Sequence, residues 1–389
     1  MNSRFDAIVV GGGPAGAAAG HVLAASGMSV AIVDRAVFPR DKLCGGALSE
    51  RSEAIFKSIF GAAWDAAIET VANGIAFYHN NQFLNRVDNY RPIYFTSRRN
   101  FDNCLLELAA RRGATVLQGV PVSSIDRRLS TVSLANDRVL RADFIIGADG
   151  VNSRIAKVLG LNAGDSPDLA LGLELEVPRD EMKRQPSAPE IYFGVVRWGY
   201  GWVFPGRTSF NVGVVGLLNK NPDLQVRFDS FLCNVCGVIP RLKWKGHHIP
   251  FGSFRRRPGL GNILLAGDAA GLVEPVTGEG IAFAMLSGKC AAEGIIEAAA
   301  SGNPGDACKF YRLRYEKITR LMSQAKIMRR LIFPEMTQRL FTKVLSRSRG
   351  AIRQYMDLLA GDIGYADYAK YLLRKVASRA LDELGITGL

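Results

Sequence analysis

Residues 5–10 (FDAIVV), a glycine turn GGGPAG at 11–16 and residues 29–34 (SVAIVD) read as strand, turn, helix and a second strand ending in an acid. No other stretch constrains the fold as strongly, because each glycine in such a unit has a geometric task. Gly11 permits the tight turn off the first strand, Gly13 lets the backbone approach a pyrophosphate, and Gly16 lets helix and strand pack closely. The helix, from about residue 14 to 26, opens with Pro14 and Ala15 and aims its unpaired N–H groups and positive dipole end at the phosphates. Asp34 lies 18 residues beyond Gly16, where a carboxylate accepts hydrogen bonds from a ribose diol, and Arg35 follows it. A glycine pattern alone is weak evidence. Flanking strands, helix and acid at these distances make it the ADP-binding half of a dinucleotide site.

Two later segments carry related signatures. Residues 143–150 (DFIIGADG) form an apolar strand ending in Asp149, and residues 262–271 (NILLAGDAAG) form another ending in Gly267 and Asp268. In a parallel sheet the ends of all three strands gather on the side where ligands bind. Between them, residues 73–95 and 170–252 hold short runs rich in Tyr, Phe, Val and Trp, punctuated by Gly, Pro and Asn, the pattern of an antiparallel sheet. After about residue 284 the spacing turns helical, with breaks expected at Pro334 and Gly350. The chain therefore reads as α/β. A discontinuous Rossmann-like nucleotide domain (1–72, 96–169 and 253–300) carries an inserted, mostly antiparallel β domain for substrate (73–95 and 170–252), and a helical region (301–389) follows.

Composition narrows the class further. An apolar fraction of 48% and a charged fraction of 22% are ordinary for a soluble globular protein. No run approaches the roughly 20 apolar residues of a membrane span, and the apolar N-terminus lacks a basic n-region, so a cytoplasmic location is expected. The six cysteines are scattered, Cys233 and Cys236 form a single CxxC, and the four histidines make no cluster, so no metal site is expected. Neither a nucleophile motif nor a P-loop is present, which assigns the chemistry to a bound cofactor.

GGGPAG, GADG and residues 267–281 (GDAAGLVEPVTGEGI) together resemble the FAD-dependent oxidoreductases with the p-hydroxybenzoate hydroxylase fold. Within that superfamily, residues 38–46 (FPRDKLCGG) and the pattern Tyr200, Trp202, Phe204, Pro205 followed by Gly213 resemble the geranylgeranyl reductases. The resemblance implies FAD, with Gly11, Gly13 and Gly16 facing its pyrophosphate, Asp34 its adenosine ribose, Arg98 its phosphates, and Asp268 its ribityl and pyrophosphate region. It also implies that Cys44, Gly45 and Gly46 lie beside the isoalloxazine, where the thiol tunes the flavin, donates a proton or shapes the pocket. Gly278, Gly280 and Ile281 open a helix whose N-terminus stabilises negative charge on the reduced ring. Flavin halogenases carry WxWxIP at this place; residues 198–205 (WGYGWVFP) depart at the first aromatic and at Ile, against halogenation.

The expected activity is hydride transfer from reduced FAD to an isolated C=C bond of a prenyl lipid or quinone. Cys44, Tyr200 and Trp202 are the catalytic candidates, and Tyr200, Trp202, Phe204, Pro205 and Gly213 form an aromatic slot for the chain. The alternative is a monooxygenase acting through a C4a-hydroperoxyflavin on an aromatic small molecule or a partner-protein side chain. With no second dinucleotide unit, NAD(P)H or another electron donor binds transiently. The net charge is +13, and residues 309–389 carry 17 basic against 7 acidic side chains. Residues 326–350 hold seven of those bases among apolar residues, either as a peripheral membrane contact or as a solvated helix face. No nucleic-acid recognition fold accompanies the charge.

Overall fold

A computed structural model describes residues 3–127, 129–161 and 166–383; residues 384–389 of the expected helical region lie outside it. In chain order the strands are β1 (Ser3–Val10), β2 (Val30–Val33), β3 (Ala47–Leu48), β4 (Thr70–His79), β5 (Gln82–Phe95), β6 (Thr115–Leu117), β7 (Val122–Asp126) and β8 (Thr131–Leu134). They continue with β9 (Val139–Gly147), β10 (Leu169–Pro178), β11 (Glu190–Phe193), β12 (Gly199–Pro205), β13 (Ser209–Leu217), β14 (Lys245–Pro250), β15 (Gly259–Leu260) and β16 (Ile263–Leu265). The helices are α1 (Pro14–Ala25), α2 (Glu50–Phe60), α3 (Arg98–Arg111), α4 (Arg154–Val158), α5 (Leu224–Cys236), α6 (Ile281–Ala300), α7 (Ala307–Ile332), α8 (Glu335–Arg347), α9 (Arg349–Ala360) and α10 (Tyr365–Glu383).

The strands form two sheets. The first runs β15-β16-β9-β1-β2-β6, with β7 and β8 continuing from β9. Its four central pairings, from β16 through β6, are parallel, and its strands are uninterrupted apolar runs because both faces are covered. Ile8, Val9, Ile32, Ile145 and Leu264 are buried against α1, α6 and α7, each contributing roughly 1.5–3 kcal/mol by leaving water. The second sheet runs β14-β10-β13-β12-β11-β4-β5-β3, antiparallel except where β11 meets β4. It draws in Ala47–Leu48 and begins β4 at Thr70, so it reaches into stretches expected to belong to the nucleotide unit.

Alternation decides what covers each face of the second sheet. Ile75, Phe77, Ile191, Phe193, Tyr200 and Trp202 pack with residues of α8, α9 and α10. Leu173, Leu175, Val203, Phe210 and Val212 pack under α5. The helical tail is thus one wall of the second sheet's core. Its first break falls at Pro334, as expected, because proline cannot continue α7. The second falls at Ser348 rather than Gly350, since the Ser348 hydroxyl caps α9 through the Ala351 N–H and leaves Gly350 in the first turn.

Candidate flavin site

β1, β9 and β16 end together. Val10 pairs with Gly147, and Leu265 pairs with the same glycine from the other side, so the glycine turn, Asp149 and Asp268 leave the sheet at one edge. A cavity of about 1110 Å³ opens there and extends to the second sheet and α9. Its volume exceeds the roughly 300–1,000 Å³ of ordinary small-ligand sites.

The glycines of the turn divide their work. A Cβ on Gly11 would stand 2.2 Å from the Ala148 carbonyl oxygen, and one on Gly16 would stand 1.8 Å from that of Gly11. Gly16 therefore serves the close contact of α1 with β1, as its place in the motif implies, and does not line the cavity where the resemblance put it beside a pyrophosphate. Gly13 does line it, and a Cβ there would meet nothing closer than 3.6 Å. Asp34 is held rigidly, accepting from the Gly12 N–H at 2.7 Å and the Ala36 N–H at 2.8 Å. Arg35 lines the cavity beside it.

Cations gather where a two-phosphate group would sit. Arg98 is buried, and both arms of its guanidinium reach Asp102 at 2.7 Å. Arg40 joins the same carboxylate at 2.9 Å and keeps a second guanidinium nitrogen buried without a partner among the described residues. Lys42 meets Asp268 at 3.3 Å. Burial would raise the Asp268 pKa, but Lys42 and Arg98 reverse this and hold it below the usual carboxylate range. Asp149 accepts from the Arg154 and Ile155 N–H groups at the start of α4 with one oxygen, while its other oxygen is buried without a hydrogen-bond partner among the described residues.

The loop before α6 is tied down from three directions. Glu274 accepts from Val276 and Thr277, and Glu279 accepts from Ser49, Ser52 and, at 2.9 Å, Arg51. Gly278 has φ +74° beneath the Tyr200 hydroxyl, which donates to the Thr277 carbonyl. Gly280 caps α6, Ile281 begins it, and both line the cavity with Gly267. Across from this loop, Cys44, Gly45 and Gly46 line the same space.

Trp202 lies over Gly213, its cross-strand partner, where a Cβ would stand 2.2 Å from the indole. Gly213 thus makes room for the ring from behind and does not reach the cavity, and Pro205 lies on a neighbouring cleft instead. Tyr200, Trp202 and Phe204 do face it, with Trp202 and Phe204 stacked at 6.1 Å. Burial, Glu274 and Cys44 raise the Tyr200 pKa, so the phenol keeps its proton at neutral pH. Its hydrogen bond to Thr277 gives it a positioning geometry.

Sequence reasoning missed the far wall. Ile75, Ile93 and Ile191 from the second sheet face Tyr355, Met356 and Leu359 from α9, closing an apolar chamber beyond Tyr200. Nothing local in α9 signalled this, because its apolar stripe fits any amphipathic helix. His247 was also missed. Burial, with Lys42, lowers its pKa to about 4, so the imidazole on the cavity wall is neutral at physiological pH.

The donors suit FAD: glycine-bared N–H groups at α1, cations with an unsatisfied nitrogen, the Asp34 carboxylate at the end of β2 and a helix N-terminus beyond. The fold and this cavity define an FAD-dependent oxidoreductase of the p-hydroxybenzoate hydroxylase type. The family model for an FAD binding domain matches residues 4–193. The geranylgeranyl diphosphate reductase of Rhodobacter capsulatus is 30% identical over 321 residues, covering 78% of each chain. The menaquinone reductase of Mycolicibacterium smegmatis is 29% identical over 316 residues, covering 75% of this chain and 76% of its own. A geranylgeranyl bacteriochlorophyll reductase-like protein from Thermoplasma acidophilum shares the fold, with a TM-score of 0.77 over 96% of this chain and 100% of that one at 22% identity. This chain belongs to the geranylgeranyl reductase family, and it binds FAD.

Proposed function

We propose that the enzyme reduces isolated C=C bonds in the prenyl chain of a lipid or quinone. The observation that carries this reading is the apolar wall that Ile75, Ile93 and Ile191 of the second sheet and Tyr355, Met356 and Leu359 of α9 give the cavity beside the aromatic strand, a lining suited to a prenyl tail. The names of the Rhodobacter and Mycolicibacterium relatives favour the same substrate class. When bound and reduced, FAD would supply a hydride for one alkene carbon, while water or the Cys44 thiol would supply the proton for the other.

The protein's part is to bind, orient and exclude water. Gly13, Asp34, Arg98, Asp149 and Asp268 would hold the dinucleotide, and Gly278, Gly280 and Ile281 would present the N-terminus of α6 to the ring. Tyr200 fixes the loop before α6 through the Thr277 carbonyl. Trp202 is fixed in turn, its Nε1 donating to Asn211 at 2.6 Å. Such orientation matters for an unactivated alkene, where positioning supplies much of the rate. The electron donor would be NAD(P)H or another reductant that binds transiently.

A peripheral membrane contact would deliver the lipid. Ile327, Leu331, Met336 and Leu340 are exposed at the corner of α7 and α8, among the exposed bases Arg330, Arg339, Lys343 and Arg347. Apolar side chains ringed by cations suit an anionic bilayer surface. No described helix is long and apolar enough to cross a membrane.

The deciding experiment is anaerobic. The flavin is reduced chemically and the protein is offered geranylgeranyl diphosphate or a menaquinone, with the product read by mass spectrometry. A gain of a hydrogen pair per reduced bond supports the reading. An unchanged prenyl chain with every substrate, together with oxygen-dependent hydroxylation of an aromatic compound, would sink it. Sedimentation with anionic liposomes, abolished by Leu331→Glu with Leu340→Glu, tests the membrane contact.

A further inference from the structure

A second cavity of about 450 Å³ lies beside the first. Cys44, Gly45 and Phe204 line both, so the cysteine loop and the aromatic strand form the partition between them. Glu174 of β10 stands on the second cavity's wall and is only 7% exposed. Its Oε1 accepts the Cys44 N–H at 3.0 Å, while Oε2 is buried without a well-formed hydrogen bond among the described residues, the neighbouring Asn211 amide being directed to Glu176 at 2.7 Å. A buried carboxyl with an unused oxygen is costly, and the flavin site does not otherwise require it.

We propose that Glu174 is a positioning residue that holds the Cys44–Gly46 loop against the flavin side of the partition and alters that hold with its own protonation. As a carboxylate it gives the Cys44 N–H a charge-assisted acceptor. As an acid it is a weaker one, with a hydroxyl available on the buried Oε2. The loop has few other freedoms. A Cβ on Gly45 would lie 3.0 Å from Trp202 Nε1 and from Phe204, and one on Gly46 would lie 2.1 Å from the Thr96 carbonyl oxygen. The Gly46 N–H approaches Cys44 Sγ at 3.4 Å, so a shift at the Cys44 N–H carries the thiol with it.

The surroundings place the switch in the neutral range. Burial is the main cause, Glu176 on the same strand adds to it, and the Cys44 N–H, Asn211 of β13 and Lys245 of β14 oppose it; the Glu174 pKa rises to about 7. Asp41 and Lys42 in the loop and Arg98 and Arg99 on α3 also face this cavity. Glu69 and Lys243 complete its charged lining. The inference rests on the FAD site and not on the prenyl substrate.

The test follows alkylation of Cys44 by iodoacetamide in the apoprotein across the neutral range, read on the Cys44 peptide by mass spectrometry. After correction for thiol ionisation, the wild-type rate should step by about 2- to 10-fold near pH 7, the leverage of one hydrogen bond. Glu174→Gln should remove the step, and Glu174→Asp should keep it at a shifted pH. In the holoprotein, the midpoint potential of the flavin should change slope near the same pH in the wild type and not in Glu174→Gln. A wild-type profile without a step, or a step that survives Glu174→Gln, overturns the proposal. If Glu174→Gln does not fold, the wild-type and Glu174→Asp profiles decide in the same way. Neither readout uses a prenyl substrate, so failure of the substrate assignment leaves both unchanged.

Discussion

Gly278→Ala should damage the protein through a specific partner, the Tyr200 hydroxyl. The position has φ +74°, a conformation that costs an L-residue about 1–2 kcal/mol. The added Cβ would also stand 2.5 Å from the hydroxyl that donates to Thr277, displacing a hydrogen bond worth about 0.5–1.5 kcal/mol. The sum is a loss of about 1.5–3.5 kcal/mol. Tyr200→Phe alone leaves the Thr277 carbonyl without its donor and should cost about 1–3 kcal/mol. In the Tyr200→Phe background the clash is gone, so Gly278→Ala should cost only the backbone term. The two changes should therefore be coupled by about 0.5–1.5 kcal/mol in urea unfolding of the four apoproteins. FAD affinity should fall in the same order, tenfold for each 1.4 kcal/mol expressed in the bound loop. Costs that simply add, within the usual scatter of about 0.3–0.5 kcal/mol, would refute the claim that this hydroxyl dictates glycine at 278.

Gly213→Val should displace the Trp202 indole, costing about 1–3 kcal/mol as overpacking, and should red-shift tryptophan fluorescence; an unchanged spectrum would show that the strand accommodates a side chain there. His247 has its pKa lowered to about 4 by burial and Lys42, so the unfolded chain takes up the proton first. Its contribution is full above the unfolded value of about 6.5 and is lost as pH falls from there toward 4. The difference in urea midpoint between wild type and His247→Gln should change across that window, by about 1–2 kcal/mol after allowing for partial exposure. Arg91 pairs with Glu50, Asp357 and Asp362, fastening α9 to β5 and α2 beside the chamber. Arg91→Ala should speed hydrogen exchange in α9 by several-fold while leaving exchange in α1 unaltered.

Much of the site was legible because its signals are local. The glycine turn, the Asp149 and Asp268 strand ends and the loop before α6 each need particular residues within a few positions, and chain geometry alone explains why. Even there, the resemblance placed Gly16 and Gly213 against ligand, whereas their missing side chains serve the close approach of α1 to β1, as the glycine spacing itself implies, and of Trp202 to β13. A glycine shows that something approaches closely without showing whether the neighbour is ligand or protein.

By itself, then, the sequence determined the two-sheet α/β architecture and the glycine-and-acid edge of the cavity, since strand alternation, turn chemistry and helix starts are short-range constraints. Tertiary structure alone decided the chamber and the contact of Glu174 with the Cys44 loop. Tyr355 and Met356 face Ile75 and Ile191 from the other end of the chain, and Glu174 meets the Cys44 loop across 130 residues. Contacts at such separations depend on how two sheets and a helical tail pack around one core, a collective outcome that no local run of residues encodes.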